Sequence, residues 1–259
     1  MSQPINTLAG SGVILVQPKY PENIGASARI ACNFGIEQLT VVADEAPDQE
    51  RMLKMATHKA AHLIHALRVV GTTREAAEPY HFIVGTTARQ GKNRVLEHTP
   101  SSVMQELAPL AAQHNHIALM FGPESSGLTN EDLDYCQFFS TIPTADFSSL
   151  NLAQAVAIHC YELSQAMSRL EEPENLGGEN QYANSYDLEG MYEHIEEALT
   201  RITFIRHTNK TYWMRNIRHF LSRTRLKKKE ASLIRGVCRK FLWHSGQEGL
   251  EQQEIKNGD

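Results

Sequence analysis

Ile117-Ala118-Leu119-Met120-Phe121 is an unbroken apolar run that stops at Gly122. A strand with one wet face alternates polar and apolar residues, so a continuous run bounded by a turn residue reads as a strand covered on both faces. Gly12 to Gln17, Leu39 to Ala43, His81 to Gly85 and Phe138 to Ile142 read the same way, with a short strand at Arg68 to Val70. Helix-length segments separate them. Asn23 is placed to cap a helix that runs to about Phe34 and closes at Gly35. Arg51 to Leu67 forms a second helix, Ser101 caps one through about Gln113, a short helix closes over Leu133 to Cys136, and Leu152 to about Met167 is the last. Strands alternating with helices imply an α/β fold built on a parallel sheet with helices on both faces, whose ligands sit at the carboxyl ends of the strands.

This pattern spans residues 1–168. Residues 169–185, with Pro173, Gly177, Gly178 and several Asn, read as a linker. Residues 186–248 read as a small all-helical extension. Leu188, Met191, Tyr192, Ile195 and Leu199 mark its first helix, Met214, Ile217 and Leu221 a second, and Ile234, Val237, Cys238 and Phe241 a third. Residues 249–259 are expected to be a disordered tail. The net charge of −5 argues against a polyanionic partner, but the distribution argues for one. Arg201 to Trp243 holds 13 Lys and Arg against the single acid Glu230, which leaves 12 bases and 29 acids elsewhere. RNA phosphates are the expected contact, through Arg215, Arg218, Arg223, Arg225, Lys227, Lys228, Lys229, Arg235 and Arg239. The four cysteines have no C-x-x-C spacing, and neither a signal peptide nor a membrane-length apolar run occurs, so a reducing cytoplasm is expected.

Three loops at strand ends carry more chemistry than a core needs. In Asn23-Ile24-Gly25-Ala26-Ser27-Ala28-Arg29 a long cation follows small residues; it is either a reaching arginine or an ordinary surface one. Phe121-Gly122-Pro123-Glu124-Ser125-Ser126-Gly127-Leu128-Thr129 sets a carboxylate between glycines; without lysine it suits a cationic or polar ligand better than a phosphate. Phe147-Ser148-Ser149-Leu150-Asn151 has more hydroxyl and amide groups than one helix cap uses.

In this order, Asn23-x-Gly25-x-x-x-Arg29, Phe121-Gly122-Pro123-Glu124-x-x-Gly127-Leu128 and Ile142-Pro143 with Ser149-Leu150-Asn151 resemble the SPOUT class of RNA ribose 2′-O-methyltransferases. The likeness covers roughly Gly12 to Ser168. Within the class it is nearest the TrmJ type, which methylates cytidine or uridine 32 of tRNA, through Gly85-Thr86-Thr87-Ala88-Arg89 and Gly127-Leu128-Thr129-Asn130-Glu131. Asp187 to His194 and Leu233-Ile234-Arg235-Gly236 resemble that type's helical extension. The resemblance implies a C-terminal trefoil knot, S-adenosylmethionine as methyl donor without a metal, and a homodimer that shares its active site. It implies a donor pocket of Thr86, Thr87, Ala88, Gly122, Gly127, Leu128, Ile142, Ser148, Ser149 and Leu150. It also implies catalytic roles for Arg29 and Ser149, with Glu124 as a scaffold and Asn23 and Asn151 as orienting groups. Arginine is a poor base at its ordinary pKa, so Arg29 either binds the adjacent phosphate and stabilises a developing alkoxide, the favoured role, or is deprotonated transiently in a dry site. Methylation of ribosomal RNA, or RNA binding without catalysis, are the alternatives.

Three groups have plainer readings. His58, His62 and His65 share a helix face but lack a neighbouring acid or cysteine at ligand spacing, and read as surface. His159 reads as a satisfied interior histidine. Tyr212, Trp213 and Trp243 either stack on bases or pack the bundle, with packing favoured.

Overall fold

The computed structural model describes residues 8, 10–87, 99–145, 150–170 and 181–256, the last eleven of these as backbone. It divides into two compact units, Met1–Gly178 and Glu179–Asp259.

The first unit is a parallel sheet of β1 (Ser11–Val16), β2 (Gln38–Val42), β3 (Arg68–Val70), β4 (Phe82–Thr86), β5 (Ile117–Phe121) and β6 (Phe138–Ser140), in the order β3-β2-β1-β5-β4-β6. β1 lies at the centre, with Val13 beside Leu39 of β2 on one side and Leu119 of β5 on the other. Every residue of β1 and β5 is buried, as their continuous apolar character requires. Strand alternation sends Ile14 and Val16 to one face. There they pack with Ala76, Ala77, Tyr80, Met120, Leu133 and Cys136, beneath α3 (Thr73–Ala77) and α5 (Asn130–Leu133). Val13 and Leu15 turn to the other face. The helices α1 (Pro21–Asn33), α2 (Gln49–His65), α4 (Pro100–Ala112) and α6 (Leu152–Ser168) form a contiguous layer, with α1 packed on α2 and α6, and α6 on α4.

Several boundaries differ from the sequence reading. Asn23 does not cap α1: the helix starts at Pro21, after Tyr20, and Asn23 lies inside its first turn. Proline at the first helical position has no N–H to satisfy, so the start moves upstream. The same device shifts α4, which opens at Pro100 and is capped by Thr99 instead of Ser101, the Thr99 side chain accepting from Ser102 N–H. α3 was not foreseen, since five residues are too few to show a helical period. β6 ends at Ser140, two residues short of Ile142.

The second unit holds α7 (Ser185–Arg201), α8 (Lys210–Ser222) and α9 (Lys228–Lys256) around Leu188, Met191, Tyr192, Ile205, Met214 and Ala231. The end of the expected linker is already packed: Ala183 is buried and its N–H donates to Leu226 O, while Tyr182 bridges to Lys227. On α9 the inward side includes Ala231 and Ile234, whereas Val237 and Phe241, expected inside, face out along with Leu233. The helix continues to Lys256 through the segment expected to be a disordered tail. Glu251-Gln252-Gln253-Glu254 is composed of good helix formers, so an established helix can propagate through it.

Arg218 also departs from expectation. Instead of pointing to solvent it forms a forked ion pair with Glu189, with Nη1 on Oε1 and Nη2 2.7 Å from Oε2, and lies 4.4 Å over the Tyr192 ring. Its side chain is 19% exposed and that of Glu189 6%. A nearly buried carboxylate needs a paired cation, and Arg218 on the facing helix supplies it. It is therefore removed from the set of phosphate contacts.

Candidate active site

A cavity of about 270 Å³ opens where β4, β5 and β6 end, and two of the three loops identified in the sequence, those of Gly122–Leu128 and Leu150, line it. Of the expected donor-pocket residues, Thr86, Thr87, Gly122, Gly127, Leu128, Ile142 and Leu150 line it. Ala88, Ser148 and Ser149 lie outside the described residues.

The loop after β5 folds tightly for backbone reasons. A Cβ on Gly122 would stand 2.2 Å from Leu128 N and 2.3 Å from the Gly127 carbonyl carbon, so any side chain there would force the loop open. Gly127 itself adopts φ +66°, where side chains are disfavoured, and donates its N–H to Pro123 O at 2.8 Å. Thr129 then caps α5 reciprocally with Asp132, whose other oxygen accepts from Thr73 Oγ1 at 2.6 Å. The glycine of the first motif serves packing instead: a Cβ on Gly25 would fall 2.0 Å from Met52 O of α2.

Glu124 joins the loops. Its Oε2 accepts from Lys19 N–H at 3.0 Å, and its Oε1 accepts from Asn23 Nδ2 at 2.5 Å. Asn23 Oδ1 in turn accepts from Asn151 Nδ2 at 3.0 Å, while Asn151 Oδ1 caps α6 through Ala153 N–H at 2.9 Å. Asn23 is thus tied side chain to side chain to two segments that lie more than a hundred residues away in the chain. Asn23 and Asn151 act on this chain of bonds, with the cap of α6 as a second use of Asn151. Arg29 stands one turn after Gly25 on α1, exposed. Among the described residues lining the cavity there is no Lys or Arg, and Glu124 is the one carboxylate, so a bound cation meets no like charge in the wall.

The floor holds a group whose role the sequence did not show. Leu152, Ala155 and His159 recur at helical spacing on α6 and all line the cavity. His159 is fully buried. Its Nδ1 lies 2.8 Å from Ala155 O, so that nitrogen carries the proton, and Nε2 accepts from Ser140 Oγ at 2.9 Å. The Phe121 ring packs edge-on, 5.3 Å away. Burial pushes the imidazole pKa down to about 4, so it stays neutral. Ser140 O accepts from Thr87 N–H at 3.0 Å, and Thr86 Oγ1 donates to Met120 O at 3.1 Å, which joins the floor to the wall. The sequence signal was present as the period from Leu152, but only the approach of β6 gives His159 its partner.

His58, His62 and His65 are exposed on α2. His62 Nδ1 bonds Lys59 O within its own helix and His65 pairs with Gln49. No cluster of His, Cys, Asp or Glu among the described residues is arranged to hold a metal ion, and no described helix is long and apolar enough to cross a membrane.

The cavity at the strand ends of this parallel sheet is lined by the second and third motifs, and the first reaches it through the Asn23–Glu124 bond. The chain belongs to the SpoU rRNA Methylase family, whose model matches residues 11–161. Residues 186–254 match the C-terminal domain of tRNA methyltransferase TrmJ. Over 240 residues the chain is 33% identical to the tRNA (cytidine/uridine/adenosine-2′-O-)-methyltransferase TrmJ of Pseudomonas aeruginosa (strain UCBPP-PA14), covering 87% of this chain and 91% of that protein. It is 32% identical over 230 residues to the tRNA (cytidine/uridine-2′-O-)-methyltransferase TrmJ of Pectobacterium atrosepticum, covering 87% and 93%. Among solved structures, TrmJ from Z. mobilis ZM4 superposes with a TM-score of 0.75 at 29% identity, covering 89% of this chain and 98% of that one.

Proposed function

We propose that this protein transfers a methyl group from S-adenosylmethionine to the ribose 2′-oxygen of nucleotide 32 in the tRNA anticodon loop. The observation that carries this reading is that Asn23 of the first motif is bonded to Glu124 and Asn151 of the two motifs that form the cavity rim. The cavity suits the donor chemically: apolar walls at Leu128, Ile142 and Leu150, hydroxyls at Thr86 and Thr87, and a carboxylate in place of basic residues. Those residues would hold the donor, with Ala88, Ser148 and Ser149 completing the set by resemblance, and the segment from β5 to α6 would carry the trefoil knot.

The donor, when bound, supplies an electrophilic methyl on a sulfonium. What the chain contributes is orientation and charge. Ser149 positions the ribose, and Asn151 and Asn23 fix the loops that present it. The Arg29 guanidinium binds the neighbouring phosphate and stabilises negative charge as the ribose oxygen gives up its proton to solvent water. Neutral His159 places no positive charge beneath a cationic donor. In the homodimer we envisage, Arg29 of one protomer faces the donor of its partner. The exposed arginines and lysines of the helical extension grip RNA phosphates in the cytoplasm.

A second reading, methylation of ribosomal RNA, draws on the name of the family model that matches residues 11–161. The match of residues 186–254 to a tRNA-enzyme domain favours tRNA. Mass spectrometric mapping of RNA from cells lacking the protein separates them: a ribose methyl lost from tRNA position 32 supports the proposal, and one lost from ribosomal RNA overturns it. Calorimetry with S-adenosylmethionine tests catalysis of either kind, since no donor binding at millimolar concentration leaves a binding module alone.

A further inference from the structure

The helical unit keeps three aromatic side chains together at its surface. Trp213 packs partly against the core of α7, α8 and α9. Phe204, in the turn before α8, lies 5.0 Å from the Trp213 ring at 52°, and Tyr212 stands edge-on to it at 5.5 Å and 78°. Yet Phe204 is 51% exposed and Tyr212 66%. If the group existed only to fill the bundle, the two outer rings would be inside; instead one anchored indole holds two rings against water. The chain around them is basic: Arg206 is exposed two residues after Phe204, Lys210 opens α8 in an ion pair with Glu196 of α7, and Arg201 to Trp243 carries 13 basic residues against one acid. Exposed π faces on a basic segment of chain match an unpaired nucleobase and its phosphate. An apolar protein surface would gain nothing from the charge, and duplex RNA offers no open base face.

We propose that Phe204, Tyr212 and Trp213 form a stacking platform for an unpaired base of the RNA substrate. This rests on the RNA-methylating reading above and adds what the extension recognises: single-stranded bases as well as phosphate charge.

The full-length protein is titrated with a tRNA transcript and with a fully paired RNA duplex of equal length, following Trp fluorescence and affinity across a salt series. The platform requires that tRNA quench Trp emission and that Tyr212→Ala and Phe204→Ala each weaken tRNA binding about tenfold. The slope of log affinity on log salt stays unchanged, because no phosphate contact is lost. Duplex affinity stays at the wild-type value, and Leu233→Ser, which removes an equally exposed apolar side chain from α9, has no effect. Unchanged thermal unfolding confirms that the variants fold. Overturning results are wild-type tRNA affinity in the Phe204→Ala/Tyr212→Ala double variant, an equal loss for duplex, or unchanged RNA affinity with a loss of self-association. A protein that methylates tRNA while its double variant binds normally refutes the platform alone. One that binds no RNA refutes the RNA reading as well.

Discussion

The two units use their charged and polar side chains in opposite ways. In the α/β unit the groups that define the site are tied to one another: Glu124 accepts from Lys19 and Asn23, and Asn23 accepts from Asn151. In the helical unit one cation is taken out of the binding face, because Arg218 is bound to the buried Glu189. The contacts expected with RNA are those that remain outside such a pair, such as Arg223 and Arg239, both exposed. A cavity requires fixed walls, so its polar groups bond to each other. A phosphate-gripping surface works through exposed charge that exchanges counterions, so a fixed internal partner disqualifies a residue from it.

The comparison is most severely tested at Arg29, an exposed cation assigned to chemistry instead of binding. Arg29→Ala is expected to lower methyl transfer to tRNA by about a thousandfold, the scale for losing a charge-stabilising group, with donor affinity unchanged. Arg29→Lys keeps the charge without the fork and should retain part of the rate. Equal rates for the two variants in a labelled-methyl assay would remove charge stabilisation as the mechanism.

Next in size is the buried pair. Arg218→Ala leaves Glu189 buried without a cation and is expected to destabilise the helical unit by about 3–5 kcal/mol, read by chemical denaturation. Arg239→Ala should leave stability within about 0.5 kcal/mol and flatten the salt dependence of tRNA affinity by about one. If Arg218→Ala behaved like Arg239→Ala, the distinction between structural and binding cations in this unit would fail.

A third test uses acid. His159 is neutral in the fold down to about pH 4, whereas in the unfolded chain it takes up a proton below its ordinary value of 6.5. The unfolded state therefore binds more protons between those limits, and stability falls as pH drops from about 6.5 to about 4, by an amount on the order of 3 kcal/mol. Below about 4 both states are protonated and the dependence from this group ends. Comparing the unfolding of wild type and His159→Gln across that range checks it, the variant losing the difference. An unchanged acid limb would mean that the imidazole is not held neutral against β6.

How much of this was legible follows from the kind of signal each residue leaves. β5 could be read to its last residue because Ile117 to Phe121 is continuous and Gly122 ends it. The site loops could be read because glycines, a carboxylate and amides in a fixed order have few other uses, and the glycines proved to serve backbone approach at Gly122 and helix packing at Gly25. His159 lies in an apolar helix, and nothing local shows that Ser140, nineteen residues earlier, meets it. Arg218 read as a surface cation because Glu189 lies twenty-nine residues away on another helix. The outward turn of Val237 and Phe241 was hidden for a related reason: Leu233, Ile234, Val237, Cys238 and Phe241 form an apolar band broad enough to fit two rotations of α9, and packing chose the one with Ile234 inside.

The smallest effect separates the two units most cleanly, because both contain an asparagine cap. Asn184 caps α7 by accepting from Asp187 N–H at 2.9 Å, as Asn151 caps α6. Replacing either cap with alanine should cost about 1 kcal/mol. Of the two, Asn151 also donates to a side chain distant in the chain, Asn23 of α1, at 3.0 Å. A double-mutant cycle of Asn23→Ala and Asn151→Ala, measured by denaturant unfolding, should therefore show a coupling of about 0.5–1.5 kcal/mol. The matching cycle of Asn23→Ala with Asn184→Ala should show none. Coupling near zero in the first cycle would mean that the loops around the cavity are held independently, and Asn151 would then be a cap of the same kind as Asn184.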